Sequence, residues 1–482
     1  MLAEINTFLS DLIWGSILIY MLPILGLFFT ITSRFVQFRY FLKMFNIFRE
    51  SVRDKEGHIS SFQALMLSVS GRVGVGNIAG VAVAITLGGP GAVFWMWLIA
   101  LVGMATSFFE CSLAQLYKEK DGMDSCLYRG GPAYYATKAL GQKWLGVVIS
   151  VLILITFGLA FNATQSFVIS TSFEATFNLP TWISGIALSI IFGITIFGGV
   201  RGIVKMSEVI VPIMALGYLL IALVVIALNI NEIPSLITMI ITEAFSPSSA
   251  IAGGIGAVIL QGTKRGMFSN EAGLGSAPNV AAVAYVAHPV QQGIVQSFSV
   301  FIDTIVICSC TAFIILLSDV YVPGVSGVQG ILLTQNALIE HIGPLGGYFV
   351  TIALLLFGFS SMIYNYYLAE NSLNFFVKGN VLIFNIFKIT CVSLVVWGSF
   401  QDLSSIFAFS DLSMGLLAII NMIVITMLYK PVLKLIKGYD RQLQEGKKPV
   451  LRYDDYVEFN IDKELWKEIV DNINHENNKE KR

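Results

Sequence analysis

The stretch Ser70-Gly-Arg-Val-Gly-Val-Gly-Asn77 lies in the middle of an apolar run that extends from Ala64 to Leu87. As a helix, this run would be roughly 36 Å long, which is enough to cross a bilayer. Its centre nevertheless combines three glycines with an asparagine and an arginine. Lipid tolerates broken backbone only where it lines a cavity or contacts protein. The stretch therefore predicts a discontinuous membrane span with a polar site at its midpoint.

The composition places that span in a polytopic helical membrane protein. The chain has 482 residues, of which 55% are apolar and only 13% are charged, whereas soluble domains carry about 25% charged residues. Apolar runs of about 20 residues recur along the chain, the length that crosses lipid as a helix. The pattern disfavours a transmembrane β-barrel, because the strands of a barrel alternate and have about ten residues.

We count eleven apolar segments, and we expect the first to be a retained span and not a signal peptide. They cover about 12–32, 64–87, 91–117, 144–172, 181–199, 206–229, 249–287, 292–317, 345–376, 381–399 and 404–428. With the N-terminus outside, every Lys and Arg falls in an inner loop or the C-terminal tail except Arg72, Lys264, Arg265 and Lys388. This bias predicts a multi-pass protein of the cell membrane with a cytoplasmic C-terminus. A cytoplasmic helix is expected within 457–470.

Two glycine-containing strings indicate an internal repeat. Residues 74–84 read GVGNIAGVAVA and residues 273–284 read GLGSAPNVAAVA. The spans that follow the first divide into two blocks of five, and an odd block length inverts the second. Inverted repeats with discontinuous first helices are typical of one transporter architecture. The predicted divisions are an N-terminal helix with an amphipathic segment (1–55), two five-helix repeats (56–248 and 249–429) and a cytoplasmic tail (430–482).

A break at the midplane also predicts what the site binds. The half-helix that starts near Val75 presents free N–H groups and a positive dipole end, which suit a carboxylate. The half-helix that ends near Arg72 presents free carbonyls, which suit Na⁺. Gly74 and Gly76 allow the backbone to approach a ligand closely. Packing of small residues is the alternative explanation for these glycines.

The strings VGVGNIAGVAVAITLGGPGAVFWMW (73–97) and KRGMFSNEAGLGSAP (264–278) resemble the alanine or glycine:cation symporter family. The resemblance implies a LeuT-type fold and Na⁺- or H⁺-coupled uptake of small amino acids, with glutamine associated with some relatives in Gram-positive bacteria. The first string also resembles the V-G-x-G-N stretch of sodium-coupled neurotransmitter-type transporters. That match implies that Gly74, Val75 and Gly76 face the substrate, and that Val73 and Asn77 are Na⁺ ligands.

Further site residues are expected on other spans. The resemblance places Asn162 and Gln165, which share one helix face, at the substrate, and gives a Na⁺ site to Ser360 and Ser361. Interhelical and same-helix hydrogen bonds are the respective alternatives. Asn365 is expected to reach the substrate. In the seventh span we expect the break at 261–263, with backbone carbonyls on the substrate ammonium and Lys264 and Arg265 capping the break or facing a vestibule. The substrate-contacting residues expected there are Gln261, Gly262, Thr263, Phe268 and Asn270.

Ionisable residues inside spans are costly and usually functional or paired. Asp303 is expected to help a cation site or to pair with a basic residue. Arg72 has three interpretations: a solvated cation that snorkels to an inner vestibule, a fixed charge that replaces a bound cation, or a gating partner of Asp303, Glu271 or Glu110. Glu110 and Glu271 are accordingly candidate gating residues.

These patterns predict a secondary symporter that imports alanine, glycine or glutamine with Na⁺ by alternating access. H⁺ coupling is the alternative, and an ion channel or an intramembrane enzyme is a further one. The sequence shows no nucleotide loop, zinc motif or nucleophile elbow, so we expect neither a cofactor nor an enzyme. The expected partners are the amino acid, Na⁺ and the lipid bilayer, with no nucleic acid.

Overall fold

The computed structural model describes residues 8–51, 58–122, 126–246, 253–322, 330–377 and 380–479. The described chain is helical apart from one antiparallel pair of two-residue strands, β1 (Glu119–Lys120) and β2 (Tyr128–Arg129). The helices, in chain order, are α1 (Phe8–Thr32), α2 (Val36–Arg39), α3 (Lys43–Ser51), α4 (Ser61–Arg72), α5 (Ala79–Gly88), α6 (Gly91–Leu116), α7 (Pro132–Leu140), α8 (Lys143–Phe177), α9 (Thr181–Phe197), α10 (Gly199–Leu228), α11 (Ile233–Phe245), α12 (Gly254–Asn270), α13 (Ala277–Val283), α14 (Pro289–Leu316), α15 (Ile331–Ile342), α16 (Leu345–Val377), α17 (Val381–Gly398), α18 (Leu403–Met427), α19 (Tyr429–Gln444) and α20 (Lys463–Lys479).

Within the described ranges, eight helices are long and apolar enough to cross a membrane, namely α1, α6, α8, α10, α14, α16, α17 and α18. The bent pair α4 and α5 makes a ninth span, and α9 is a shorter apolar helix of 17 residues. The all-helical, multi-pass class is therefore confirmed. The exact number of eleven spans remains a prediction.

The first break lies where the sequence predicts it. Helix α4 begins with a capping box in which Ser60 and Gln63 bond reciprocally to each other's backbone N–H. It ends at Arg72, a single 3₁₀ turn follows at Val75–Asn77, and the two halves are bent by 56°. The Asn77 Oδ1 accepts the backbone N–H of Gly74 at 2.8 Å and so stabilises the turn.

The predicted position of the second break is wrong. Helix α12 continues through 261–263 to Asn270. Gly262 serves packing, because a Cβ there would lie 2.6 Å from the carbonyl oxygen of Ala92 on α6. Carbonyls at 261–263 lie inside a continuous helix, so Gln261, Gly262 and Thr263 lose the predicted contact with a substrate ammonium.

The chain instead breaks over residues 271–276, between α12 and α13. Glu271, Gly273 and Gly275 all have positive φ, at 54°, 88° and 82°. Such angles end a right-handed helix and favour glycine. Pro278 then occupies the first turn of α13, where its missing N–H costs nothing. The glycine string 273–275 lies at this break, as the string 74–76 lies at the first.

The two broken helices are surrounded by continuous ones. Helix α6 packs along α12, α13 and α14, and α16 packs along α4, α8 and α10. Both breaks are fully buried, and this arrangement brings side chains of α6, α8, α14 and α16 to the unwound segments.

The C-terminal tail folds back onto the bundle. The Trp466 indole donates to the carbonyl of Leu116 at 3.2 Å, and the Tyr117 hydroxyl donates to the carbonyl of Phe459 at 3.0 Å. The predicted helix of 457–470 is only partly correct, because Tyr453–Phe459 forms 3₁₀ turns and α20 begins at Lys463. The tail is thus anchored at the end of α6.

Candidate substrate and cation site

Two hydroxyls of α16 meet the carboxyl end of α4. The Ser361 Oγ lies 3.0 Å from the carbonyl oxygen of Ser70 and 3.2 Å from that of Gly71. The Ser360 Oγ lies 3.2 Å from the same Ser70 oxygen. Both hydroxyls also lie near the carbonyl oxygen of Phe357, at 3.0 and 2.9 Å. The predicted juxtaposition of these serines with the first break is present.

This cluster has more acceptors than protons, and the Met214 sulfur also lies 3.6 Å from the Ser360 Oγ. Each hydroxyl has one proton to donate, while three carbonyl oxygens lie within bonding distance of the two serines. Helix-terminal carbonyls of this kind coordinate Na⁺ in transporters with discontinuous helices. The donor set of the cluster therefore fits a monovalent hard cation.

A second cluster surrounds Asp303 on α14. One carboxylate oxygen accepts the side-chain N–H of Asn77 at 2.6 Å, and the other accepts the hydroxyls of Ser269 at 2.8 Å and Thr304 at 2.6 Å. No Lys or Arg of the described chain forms an ion pair with Asp303, so the predicted alternative of a basic partner is wrong here. A fully buried carboxylate with neutral donors can hold a cation or a proton.

The unwound segment between these clusters contacts α8 and α12. The Val75 N–H points to Oε1 of Gln165 at 3.3 Å. A Cβ at Gly74 would overlap the hydroxyl of Ser361, and one at Gly76 would lie 3.0 Å from the Phe268 ring. Both glycines therefore allow close packing of side chains on the unwound segment, and their approach to a ligand remains a prediction; Val73 lies next to them at the C-cap of α4.

Aromatic rings line the α12 side of this segment. The Phe268 ring lies 5.0 Å from that of Phe161 and 5.7 Å from that of Phe407, measured between centroids. With Gly76 packed against Phe268, these rings leave little room for a large side chain. The Arg265 guanidinium also lies over the Phe268 and Phe407 rings, at 5.6 and 5.1 Å from their centroids.

Three amide side chains that were predicted to contact the substrate are buried. Each has one polar atom without a hydrogen-bond partner among the described residues. These atoms are Oδ1 of Asn162, Nδ2 of Asn270 and Nδ2 of Asn365. Asn162 otherwise bonds weakly to the carbonyl of Gly158 on its own helix, and Asn270 Oδ1 accepts the N–H of Ala272 at the second break. Their contact with a substrate remains a prediction.

Glu110 has a different surrounding from the one predicted. Its carboxylate accepts the backbone N–H groups of Gly273 and Gly275, both at 3.2 Å, and the side-chain N–H of Asn421 at 3.0 Å. None of these donors is charged, so the predicted gate ion pair with Arg72 is absent from this conformation. Glu110 stabilises the second break by satisfying backbone donors that the helix no longer pairs.

Glu271 lies within the second break itself and is also without a basic partner in the described chain. The Tyr364 hydroxyl of α16 donates to its carboxylate at 3.3 Å. The ring of Tyr364 packs against Gly71, where a Cβ would overlap it. One tyrosine thus joins the second break to the end of α4.

Arg72 is buried and bonded to neutral groups. Its guanidinium donates to the Gln296 carbonyl at 3.0 Å, to the Ser107 hydroxyl at 3.0 Å and to the Ser299 hydroxyl. Arg72 is 1% exposed, so the interpretation as a solvated, snorkelling cation is wrong for this conformation. An acidic gating partner is not present within the residues described, and the fixed-charge interpretation stays a prediction.

Sequence reasoning missed Asp411 on α18. This buried carboxylate forms ion pairs with Lys264 at 2.8 Å and with Arg265 at 2.6 Å. The predicted capping or vestibule roles of the two basic residues are therefore wrong. The sequence did contain a signal for this pair. An aspartate in an apolar span needs a partner, and so do the lysine and arginine in the seventh span.

A family model and relatives from Bacillus subtilis match most of this chain. The model of the sodium:alanine symporter family matches residues 1–453. The chain is 47% identical to the amino-acid carrier protein AlsT of Bacillus subtilis (strain 168), over 92% of this chain and 93% of the relative. It is 44% identical to the probable sodium/glutamine symporter GlnT of the same organism, over 95% and 94%.

A solved structure shares the fold at low sequence identity. The crystal structure of MhsT in complex with L-phenylalanine matches with a TM-score of 0.51 and 14% identity, over 86% of this chain and 96% of that one. This likeness supports a LeuT-like fold. With the family match over almost the whole chain, it follows that this protein belongs to the sodium:alanine symporter family and is a membrane transporter, an amino-acid symporter and not an enzyme.

Proposed function

We propose that the protein imports a small neutral amino acid together with Na⁺ by alternating access. Alanine, glycine and glutamine are the candidate substrates. The observation that carries the proposal is the oxygen cluster formed by Ser360 and Ser361 with the carbonyls of Ser70 and Gly71. A cation bound there would join α16 to the broken helix that also faces the substrate.

The substrate is assigned to the unwound segment from Val73 to Asn77. Its backbone N–H groups suit the substrate carboxylate, and Gln165 lies against Val75. The rings of Phe161 and Phe268 form the apolar wall, which favours a small side chain.

H⁺ coupling is the second candidate, and Asp303 is the residue that favours it. A carboxylate held by Asn77, Ser269 and Thr304 and fully buried could carry a proton in place of a cation. The same carboxylate could complete a second Na⁺ site with Asn77. The coupling ion therefore depends on whether Na⁺ or a proton occupies the Asp303 cluster and whether Na⁺ occupies the cluster of Ser360 and Ser361.

The architecture that we propose has eleven spans, with an extra N-terminal helix before two inverted repeats of five. The repeats would cover 56–248 and 249–429, each beginning with a discontinuous helix. The bias of Lys and Arg supports an external N-terminus and a cytoplasmic C-terminus. The tail anchored on α6 would then lie in the cytoplasm.

Proteoliposomes test the proposal directly. Uptake of labelled alanine, glycine and glutamine is measured with an inward Na⁺ gradient, and then with an inward proton gradient and choline in place of Na⁺. Uptake only with the Na⁺ gradient supports Na⁺ coupling, and uptake with the proton gradient alone supports H⁺ coupling. Counterflow separates the remaining alternatives, since a carrier exchanges labelled for unlabelled substrate and a channel does not.

A further inference from the structure

One face of α14 is polar from its first residue to the middle of the bundle. His288 caps the helix, and Gln292, Gln296, Ser299 and Asp303 follow at intervals of four, four, three and four residues. These intervals keep all five on one helix face. We name them the polar stripe of α14. The stripe covers about 22 Å of helix, and all five residues are buried.

Helix α4 packs against α14 and contributes polar residues to this stripe at both of its ends. The Gln292 amide donates to the Ser61 hydroxyl at 2.9 Å. One turn further along α14, the Arg72 guanidinium donates to the backbone carbonyl of Gln296 and to the Ser299 hydroxyl. The two contacts stand at opposite ends of α4, and Ser68 lies between them on the same helix face.

The polar atoms between these helices are not fully paired. His288 Nε2, Gln292 Oε1, Gln296 Nε2 and Arg72 Nε have no hydrogen-bond partner in the part of the chain that the structure describes. The hydroxyl of Ser68, on the same face of α4 as Arg72, is also unpaired. Buried polar groups left unpaired are costly. Five such atoms along one helix–helix contact are suited to water, which pairs groups that protein does not reach.

We infer that the polar stripe of α14 and the facing residues of α4 form a hydrated route from Asp303 to the end of the bundle at which α4 begins, with Arg72 as its charge barrier. The distribution of Lys and Arg assigns that end to the cytoplasm. The inference rests on the proposed cation symport, because the function assigned to the route is the release of the cation held at Asp303.

The position of Arg72 explains how one charge can be both a barrier and removable. Its guanidinium bonds to Ser299, one turn before Asp303, and there it repels any cation that enters from the cytoplasm. Arg72 belongs to α4, whereas its partners belong to α14 and α6. Separation of α4 from α14 therefore withdraws the charge and opens the route in one movement.

Cysteine labelling tests the route without requiring transport. Gln292→Cys and Gln296→Cys are made in a background in which the half-buried Cys126 is serine, and inside-out vesicles are exposed to the anionic reagent MTSES. The control is Ile294→Cys, which is equally buried but lies on the opposite face of α14. We expect both stripe positions to react about tenfold faster than the control, since only a hydrated thiol ionises readily.

Na⁺ should slow this labelling, because we expect the route to stay closed while a cation occupies the Asp303 cluster. Equally slow reaction at all three positions, with and without Na⁺, would overturn the inference. The two proposals can fail separately: absence of Na⁺-driven amino-acid uptake removes the proposed function, while the labelling pattern still decides whether the route exists.

The barrier is tested by flux of radioactive Na⁺ into proteoliposomes without amino acid. Arg72→Gln should raise this leak about fivefold or more, because it removes the Coulomb repulsion. Arg72→Lys keeps the charge and should leak as the wild type does. An Arg72→Gln leak equal to that of the wild type would overturn the barrier. If Arg72→Gln does not fold, Ser107→Ala, which loosens the guanidinium and keeps its charge, should raise the leak less steeply, and an unchanged leak there counts against the barrier.

Discussion

The two helix breaks carry similar glycine strings but have different surroundings. At the first break, the backbone and side chains of 70–77 face hydroxyls, an amide and the carboxylate of Asp303, all of them oxygen or nitrogen groups that could exchange partners with a ligand. At the second break, Glu110 takes up the N–H groups of Gly273 and Gly275, and Asn421 takes up the carbonyl of Gly273. The second break is thus closed internally.

The difference teaches that a discontinuous helix does not by itself make a binding site. Freed backbone groups must be satisfied in either case. Where a fixed carboxylate satisfies them, the break is a stable bend or a hinge. Where exchangeable groups surround them, the break can bind a substrate and an ion. We therefore assign binding to the first break and a structural role to the second.

The largest effect on Na⁺ affinity is expected from Asp303→Asn, which tests the first break. The amide keeps the size of the side chain but removes the only negative charge in that cluster. We expect the Na⁺ concentration for half-maximal uptake to rise about 100-fold, or about 2.7 kcal/mol. Na⁺ titration of alanine uptake measures it. An unchanged titration curve, with normal protein yield, would remove Asp303 from the cation site.

The next prediction compares glycines of the two broken helices. Gly76→Leu should abolish substrate-induced thermal stabilisation and lower the melting temperature of the unliganded protein less than Gly262→Leu does, because a Cβ at Gly76 would meet the Phe268 ring whereas one at Gly262 would meet backbone. Gly262→Leu should lower that melting temperature, because it overpacks α12 against α6 at a cost of about 1–3 kcal/mol. A thermal-shift assay with and without alanine measures both. Normal substrate binding by Gly76→Leu would contradict the assignment.

A smaller loss is expected from Ser361→Ala, which removes one oxygen from the cluster at the carboxyl end of α4. We expect Na⁺ affinity to fall about tenfold, or about 1.4 kcal/mol. Ser189→Ala is the matched control, since this buried hydroxyl bonds only to the carbonyl of Ile186 on its own helix. The two variants are compared by Na⁺ titration of uptake. Equal half-maximal Na⁺ concentrations for both would show that Ser361 does not bind the ion.

The smallest effect on uptake is expected from Glu110→Gln at the second break. Its amide group can accept only one of the two backbone N–H groups, and the other loses its partner. We expect a stability loss of about 1–3 kcal/mol, seen as a lower melting temperature, with the half-maximal Na⁺ concentration changed less than about twofold. A large rise in that concentration with unchanged stability would give the second break a direct role in ion binding and would break the comparison.

The sequence by itself determined the membrane class, the first break and much of the site around it. Long apolar runs with little charge cross lipid as helices, which pair all their backbone groups internally. The helix-weakening residues at 70–77 end α4 where they occur. The resemblance placed Ser360, Ser361 and Gln165 near that break, which the contacts confirm. The glycine string at 273 also marked the second break, although polar residues at 261–263 led to the wrong position.

Only the tertiary structure decided which partners the buried charges have. From the sequence alone, Glu110 is one of three candidate gating partners of Arg72, but both side chains bond to neutral groups far away in sequence. Asp411 and Arg265, 146 residues apart, pair instead. The physical reason is that a buried charge takes whatever partner packing brings to it. The facing of α6, α14 and α18, which no local pattern encodes, settles that choice.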